Sequence, residues 1–411
     1  MKRTKFILVV AFAFMAVSLR AQPNAEPLKN LLDSIVYQAP EVYWEPAKDQ
    51  GDIKALFYKA LSYKGKPTRA FAYLGIPKSE KPVPAMVLVH GGGGKAFHEW
   101  VKIWNDRGYA AISMSLEGHM PDSKGAGKLS HEYSGPARVG QFDDIDLPLD
   151  EQWMYHAVSD IMIGHSLLES FPEVDADRIG VTGISWGGIL SSLVSGLDTR
   201  LKCAIPVYGC GYLDESLGHF GEHGGKSPEF IEKKKFWDPS QQFSTISVPI
   251  LWVNGDSDGH FSINITARSF KTTSDHAYLS IHPGMKHGYV PAWNPNEVPE
   301  VYAFADYLLK GEEPGLGRII KQPSKRKIKL IYDSKATIKE ATVYYINEKL
   351  TYRKLDPKSK HSRPGPWISM QAIVDNSNNE VRAQLPDNAL TYYVNLIDSH
   401  GHIISSTLVE L

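Results

Sequence analysis

Near the middle of the chain, Arg178-Ile179-Gly180-Val181-Thr182 reads as a buried strand, and Ile189-Leu190-Ser191-Ser192-Leu193-Val194 reads as a helix. Only Gly183-Ile184-Ser185-Trp186-Gly187-Gly188 separates them. A corner this short closes where side chains are absent, and glycines at 183 and 187 remove the Cβ atoms that would clash as strand and helix approach. A G-x-S-x-G corner of this kind holds its serine on a strained turn at the top of a sheet. Ser185 also opens the following helix, whose first N–H groups have no partner within it and face any negative charge formed there. The segment therefore demands a strand-to-helix unit of a parallel sheet and offers Ser185 as a nucleophile.

Two further regions supply what such a serine needs. Pro84-Ala85-Met86-Val87-Leu88-Val89 reads as a buried strand ending in His90-Gly91-Gly92-Gly93-Gly94. Four glycines suit a loop whose backbone must approach a substrate closely, with one amide and the N–H of Trp186 forming an oxyanion hole. Downstream, Val248 to Asn254 is another strand, followed by Gly255-Asp256-Ser257-Asp258-Gly259-His260. Either aspartate then stands at its carboxyl end. Ala277 to His282 reads as a strand and Pro283-Gly284-Met285-Lys286-His287-Gly288 as the loop leaving it. His287, in the loop, suits a base; His282, inside the strand, suits packing. The order serine, acid, histidine is the one a strand-turn-helix nucleophile requires.

The segments Val181 to Gly188, His90 to Gly94, Gly255-x-x-Asp258 and Lys286-His287-Gly288 resemble the bacterial acetyl xylan esterase and dienelactone hydrolase-like group of α/β-hydrolases. The resemblance spans Phe57 to Glu313. It implies an α/β-hydrolase fold, a mainly parallel, doubly wound sheet. It also implies Ser185 as nucleophile, His287 as base, Asp258 as the acid, and the amides of Trp186 and Gly91 or Gly92 as oxyanion donors. Ester hydrolysis through an acyl-enzyme needs no metal or cofactor at any step. The Asp256, Asp258, His260 cluster and the His219 to His223 stretch have the residue types of ligand sets, but glycine-rich loops do not hold histidines on one helix face as zinc sites do.

The amino terminus carries Lys2, Arg3 and Lys5, then an apolar run from Phe6 to Leu19, then Arg20-Ala21-Gln22. This is the pattern of a secretory signal peptide, residues 1–21, cleaved after Ala21, and it implies a periplasmic or secreted product with no membrane span after cleavage. With 45 Lys and Arg against 46 Asp and Glu, no basic surface for nucleic acid is indicated. Cys203 and Cys210 are the only cysteines, and an extended strand between them keeps both free.

Residues 22–55 read as an irregular lead-in with a helix near Leu28 to Val36, and residues 56–314 as the catalytic unit. Two stretches interrupt its strand and helix alternation: Gly118 to Pro148, bearing His119, Lys124, Lys128, His131 and Arg138, and Gly209 to Ser244. Both leave the carboxyl edge of the sheet and are expected to roof the site. Tyr208, Tyr212, Trp153, Trp293 and Lys286 are candidate substrate-lining residues. After a basic linker, Lys321 to Lys329, six short alternating runs between Ile328 and Val409 read as a C-terminal β-sandwich, residues 318–411. Every candidate catalytic group precedes residue 288, so this sandwich is expected to be dispensable for small substrates. The favoured function is a carbohydrate esterase removing acetyl groups from a polysaccharide or oligosaccharide. The alternatives are a methyl esterase on uronic-acid polysaccharide, a prolyl oligopeptidase-like serine peptidase, and an inactive glycan-binding protein.

Overall fold

The structure, a computed structural model, describes residues 26–122, 128–221, 226–273, 275–288, 293–350 and 365–411. The signal-peptide reading, Lys124 and His223 fall outside these residues. Strands β1 (Val42–Trp44), β2 (Lys54–Tyr63), β3 (Lys66–Gly75), β4 (Val83–Val89) and β5 (Ala110–Met114) precede a small hairpin, β6 (Met120–Pro121) with β7 (Lys128–Leu129). Then come β8 (Val174–Ile184), β9 (Cys203–Val207), β10 (Ile250–Gly255) and β11 (Ala277–His282). They form one nine-stranded sheet in the order β1-β2-β3-β5-β4-β8-β9-β10-β11. The first three strands are antiparallel, and from β5 to β11 every neighbouring pair is parallel.

The parallel strands explain their own composition. β4, β5, β9 and β10 are buried along their whole length, because helices cover both faces and no side of the strand meets water. Among the described residues the α-helices are α1 (Glu26–Leu31), α2 (His98–Asp106), α3 (Trp153–Glu169), α4 (Trp186–Val194), α5 (Pro228–Lys234), α6 (Ile263–Thr272) and α7 (Pro299–Ala305). In α3 nearly every residue is buried, so this helix is enclosed on all sides. Its neighbour α4 sits directly on the corner after β8. A Cβ on Gly187 would stand 2.0 Å from the Val89 carbonyl oxygen, and one on Gly183 2.1 Å from the Gly187 carbonyl oxygen. Both contacts are with backbone, which cannot swing aside. Gly187→Ala is therefore expected to lower the thermal midpoint by several degrees or to prevent soluble expression, and thermal melting followed by circular dichroism measures it.

After α7 the chain switches to antiparallel sheets: β12 (Arg318–Lys321), β13 (Lys327–Asp333), β14 (Ile338–Ile346), β15 (Ile368–Gln371), β16 (Ile373–Asp375), β17 (Glu380–Gln384), β18 (Thr391–Asp398), β19 (Ile403–Ser405) and β20 (Val409–Glu410). One sheet runs β12-β13-β17-β16; the other runs β15-β14-β18-β19, with β20 also on β18. Alternate residues of β13, Ile328, Leu330 and Tyr332, are buried, as one face of a sandwich sheet requires. Six runs were expected here, and nine strands are described. The run from Trp367 to Val374 splits into β15 and β16, which lie in different sheets, and the run from Ile403 to Val409 splits into β19 and β20. The expected basic linker is strand at both ends, Lys321 in β12 and Lys327 to Lys329 in β13, and residues 322–326 are the connection between these paired strands.

The β units meet along β11, the last strand of the large sheet. Asn395 Nδ2 donates to the Ile281 carbonyl at 2.8 Å, and the Ile281 N–H donates to Ser405 Oγ at 2.7 Å. Ser405 Oγ in turn donates to Asn395 Oδ1 at 2.6 Å. Side chains of β18 and β19 thus satisfy backbone groups that a further strand would otherwise occupy. Beside them Glu300, fully buried at the start of α7, accepts the Ile403 N–H and pairs with His282 at 3.2 Å.

Candidate active site

Ser185 sits at φ 57° and ψ −120°, a backbone region that side chains rarely adopt, and its N–H donates to the Val207 carbonyl on β9. The glycine contacts around the corner hold it there. Its Oγ lies 2.8 Å from His287 Nε2. His287 Nδ1 lies 2.8 Å from Asp258 Oδ2, and the Asp258 carboxylate is buried. A carboxylate only accepts, so the proton between them belongs to Nδ1, and Nε2 keeps the lone pair that accepts the serine hydroxyl. Asp258 cannot turn away, because its other oxygen accepts the N–H groups of His260 and Phe261 at 2.7 and 2.9 Å. The His287 ring is further braced by ring contacts with His260, Phe261 and Tyr208.

The neighbouring aspartate has a different set of bonds. Asp256 is buried, and its carboxylate accepts from the Gly284 N–H, from Ser257 Oγ and from Tyr393 Oη. It does not touch His287. Burial pushes its carboxyl above the usual range despite these donors. Of the two candidates left open by the residue pattern, Asp258 is the one bonded to the histidine.

The glycine loop after β4 is pinned by His90. The Leu116 N–H donates to His90 Nε2 at 2.9 Å, so the ring proton resides on Nδ1, which donates to the Gly91 carbonyl at 2.7 Å. Burial holds the His90 pKa down at about 4, which keeps the ring neutral and this pattern intact. The Gly93 N–H donates to Glu117 Oε1 at 2.8 Å. Gly92 lines the cavity against the Trp186 ring; Gly91 is buried and outside the lining. Trp186 is the first residue of α4, so its N–H has no acceptor within the helix.

A cavity of about 490 Å³ opens over Ser185. Both long interruptions contribute to its wall: Arg138, Gly140 and Gln141 from the first, His219 and Phe220 from the second. Gln141 Nε2 meets His219 Nε2 at 2.6 Å, joining the two across the opening. Arg138, the cation of the wall, lies over the Trp186 ring and contacts Glu117, which also meets Lys128 outside the lining. Burial pulls the Glu117 carboxyl upward, but the Gly93 N–H and the nearby cations outweigh it and leave its pKa lowered.

Among the expected lining residues, only Tyr208 reaches this cavity, with its hydroxyl donating to the Gly288 carbonyl. Tyr212 is turned away: its hydroxyl meets Thr272 and Arg268 covers its ring. Trp153 is buried behind Trp186 and donates to the Leu116 carbonyl. Trp293 packs on Phe97 and Trp100. Lys286 is exposed and borders, with Glu297, a second cavity, which shares His287 and Gly288 with the first. Large aromatic surfaces are drawn into cores, and an ammonium beside the base stays in water. Sequence reasoning missed Gln141, Phe220 and His260 as wall residues. His260 stood in the Gly255 to His260 run, where it was weighed only as a metal ligand. Among the described residues Asp258, His260 and His287 do bring ligand atoms within 4.8 Å of one another.

Comparison with known proteins places these features. Residues 39–214 match the acetyl xylan esterase (AXE1) family model, and residues 146–312 match that of the prolyl oligopeptidase family. Acetyl esterase Axe7A of Xylanibacter ruminicola is 23% identical over 177 residues, 42% of this chain and 39% of that protein. The uncharacterized peptidase YuxL of Bacillus subtilis is 24% identical over 215 residues, 47% of this chain and 28% of that protein. The chain thus spans well under half the length of these curated relatives. An acetyl xylan esterase from Paenibacillus sp. R4 superposes with a TM-score of 0.53 at 19% identity, over 69% of this chain and 92% of that one. Sheet, serine corner and matches together give this chain the α/β-hydrolase fold of serine hydrolases, similar to acetyl xylan esterases in its first half and to prolyl oligopeptidases in its middle.

Proposed function

We propose that the chain is a serine carboxylic-ester hydrolase that removes acetyl groups from a polysaccharide or oligosaccharide outside the cytoplasm. The observation that carries the reading is the unbroken chain of 2.8 Å contacts from Ser185 through His287 to Asp258, opening into a cavity large enough for a sugar ester. His287 Nε2 takes the Ser185 proton as Oγ attacks the ester carbonyl, and then returns it to the leaving alcohol. Asp258 stabilises the imidazolium between these transfers. The charge on the carbonyl oxygen is met by the Trp186 amide and the Gly92 backbone, a contribution of about 3 to 4 kcal/mol per donor. Water then releases acetate by the same path in reverse.

A second reading, a serine peptidase, draws on the prolyl oligopeptidase match over residues 146–312. A panel of acetylated polysaccharides, methyl-esterified uronic-acid polysaccharides and peptide amides separates the readings, with acetate release from the first set as the expected result. Turnover should survive exhaustive chelation, because both ring nitrogens of His287 are already engaged, Nδ1 with Asp258 and Nε2 with Ser185. A loss restored by added zinc would assign Asp258, His260 and His287 to a metal instead.

A further inference from the structure

Asp256 joins two loops. It follows β10 in the loop that carries Asp258, and through the Gly284 N–H, at 2.7 Å, it holds the loop after β11 that carries His287. The loops are in close contact there as well, since a Cβ on Gly255 would stand 2.0 Å from the Met285 carbonyl oxygen. The remaining carboxylate oxygen of Asp256 accepts from Tyr393 Oη at 2.8 Å, and Tyr393 belongs to β18, outside the large sheet. Trp367, beside Tyr393 in the same unit, directs its indole N–H at the Asp256 carbonyl at 3.4 Å. Tyr393 is fully buried and stacked on Tyr344, so its hydroxyl has one fixed position.

We infer that Tyr393 is a positioning residue for catalysis, through which the C-terminal β-sandwich holds the Asp258 and His287 loops in register. The inference rests on the ester hydrolase reading of Ser185, His287 and Asp258. Without the hydroxyl, Asp256 keeps a buried oxygen with one donor fewer, and the loops relax to satisfy it. Asp258 lies two residues beyond Asp256, and His287 three beyond Gly284. A shift of a fraction of an ångström at either lengthens one of the 2.8 Å contacts, and such displacement lowers turnover without removing any reacting group. The sandwich is then part of the catalytic apparatus, against the expectation that it is dispensable for small substrates.

The test uses the full chain and 4-nitrophenyl acetate, with kcat expressed per site titrated by a fluorophosphonate. Tyr393→Phe is expected to lower kcat roughly tenfold, the effect of one hydrogen bond to a charged group, with KM within about twofold. Tyr392→Phe makes the same chemical change one residue earlier on β18, where the hydroxyl donates to the Lys325 carbonyl, and is expected to leave kcat within about twofold. In an Asp256→Ala background Tyr393→Phe should have no further effect, since the two act along one path. Wild-type kcat in Tyr393→Phe, or a full additional loss in the Asp256→Ala background, overturns the inference while leaving the ester hydrolase reading standing. A wild type that neither hydrolyses the ester nor reacts with the fluorophosphonate overturns both. Should Tyr393→Phe not fold, Asp256→Ala is read against Asp256→Asn, whose amide can still accept from Gly284 and donate to the tyrosine oxygen. A loss in the alanine variant alone supports the inference, and equal values overturn it.

Discussion

Ser185→Ala is expected to abolish ester hydrolysis and leave the fold unchanged. The substitution removes one oxygen whose bond in the structure is to His287 Nε2, and alanine tolerates φ 57° no worse than serine does. The corner is held by Gly183, Gly187 and the backbone bond to Val207, none of which the change touches. Loss of the nucleophile in a serine triad costs roughly 10⁴- to 10⁶-fold in kcat, the remainder coming from binding and the oxyanion donors. Initial rates on 4-nitrophenyl acetate, with a thermal melt on the same sample, measure both halves of the expectation. Retention of more than about one percent of wild-type activity would mean that a different group attacks the ester.

The second large effect separates the two aspartates. In Asp258→Asn the amide oxygen remains the natural partner for the His260 and Phe261 N–H groups, which turns the amide nitrogen toward His287. That nitrogen donates, so Nδ1 of the imidazole must accept, and the ring proton moves to Nε2. The histidine then has no lone pair for the serine proton. A loss of about 10⁴-fold is expected, with little change in KM. Asp256→Asn keeps its bonds to Gly284 and Tyr393 after one hydroxyl rotation and should fall by no more than about threefold. The reverse ranking would place the acid at Asp256 and require a rearranged loop after β10.

The residues doing the proposed chemistry were legible because each follows from a local demand. A serine on a tight strand-to-helix corner needs glycines at fixed offsets, and an oxyanion loop needs its own glycines after a buried strand. Both signals are short and contiguous. The choice between Asp256 and Asp258 was not local, since the two lie at similar places in one loop and differ only in which distant group each faces. The cavity wall was less legible still. Tyr212, Trp153 and Trp293 have the right surfaces for a sugar, but their apolar area is better satisfied by packing. Gln141 and His219 come from long stretches without periodic patterning, so nothing in either stretch alone says that they meet. Short edge strands such as β12 and β20 exist because a neighbour pairs with them, which alternation within four residues or fewer does not record.

The side-chain cover over β11 bears on how the protein survives outside its folded context. An open strand at the end of a large, apolar, parallel sheet is a template for joining another chain. Asn395 and Ser405 occupy that template at Ile281 without being a strand of the same sheet, so the cover can be removed in one step by cleavage or by displacement of the last hundred or so residues. Cells and expression hosts that clip the chain after Pro314 would then accumulate strand-exchanged multimers, and the yield of monomer would report the integrity of the carboxyl terminus.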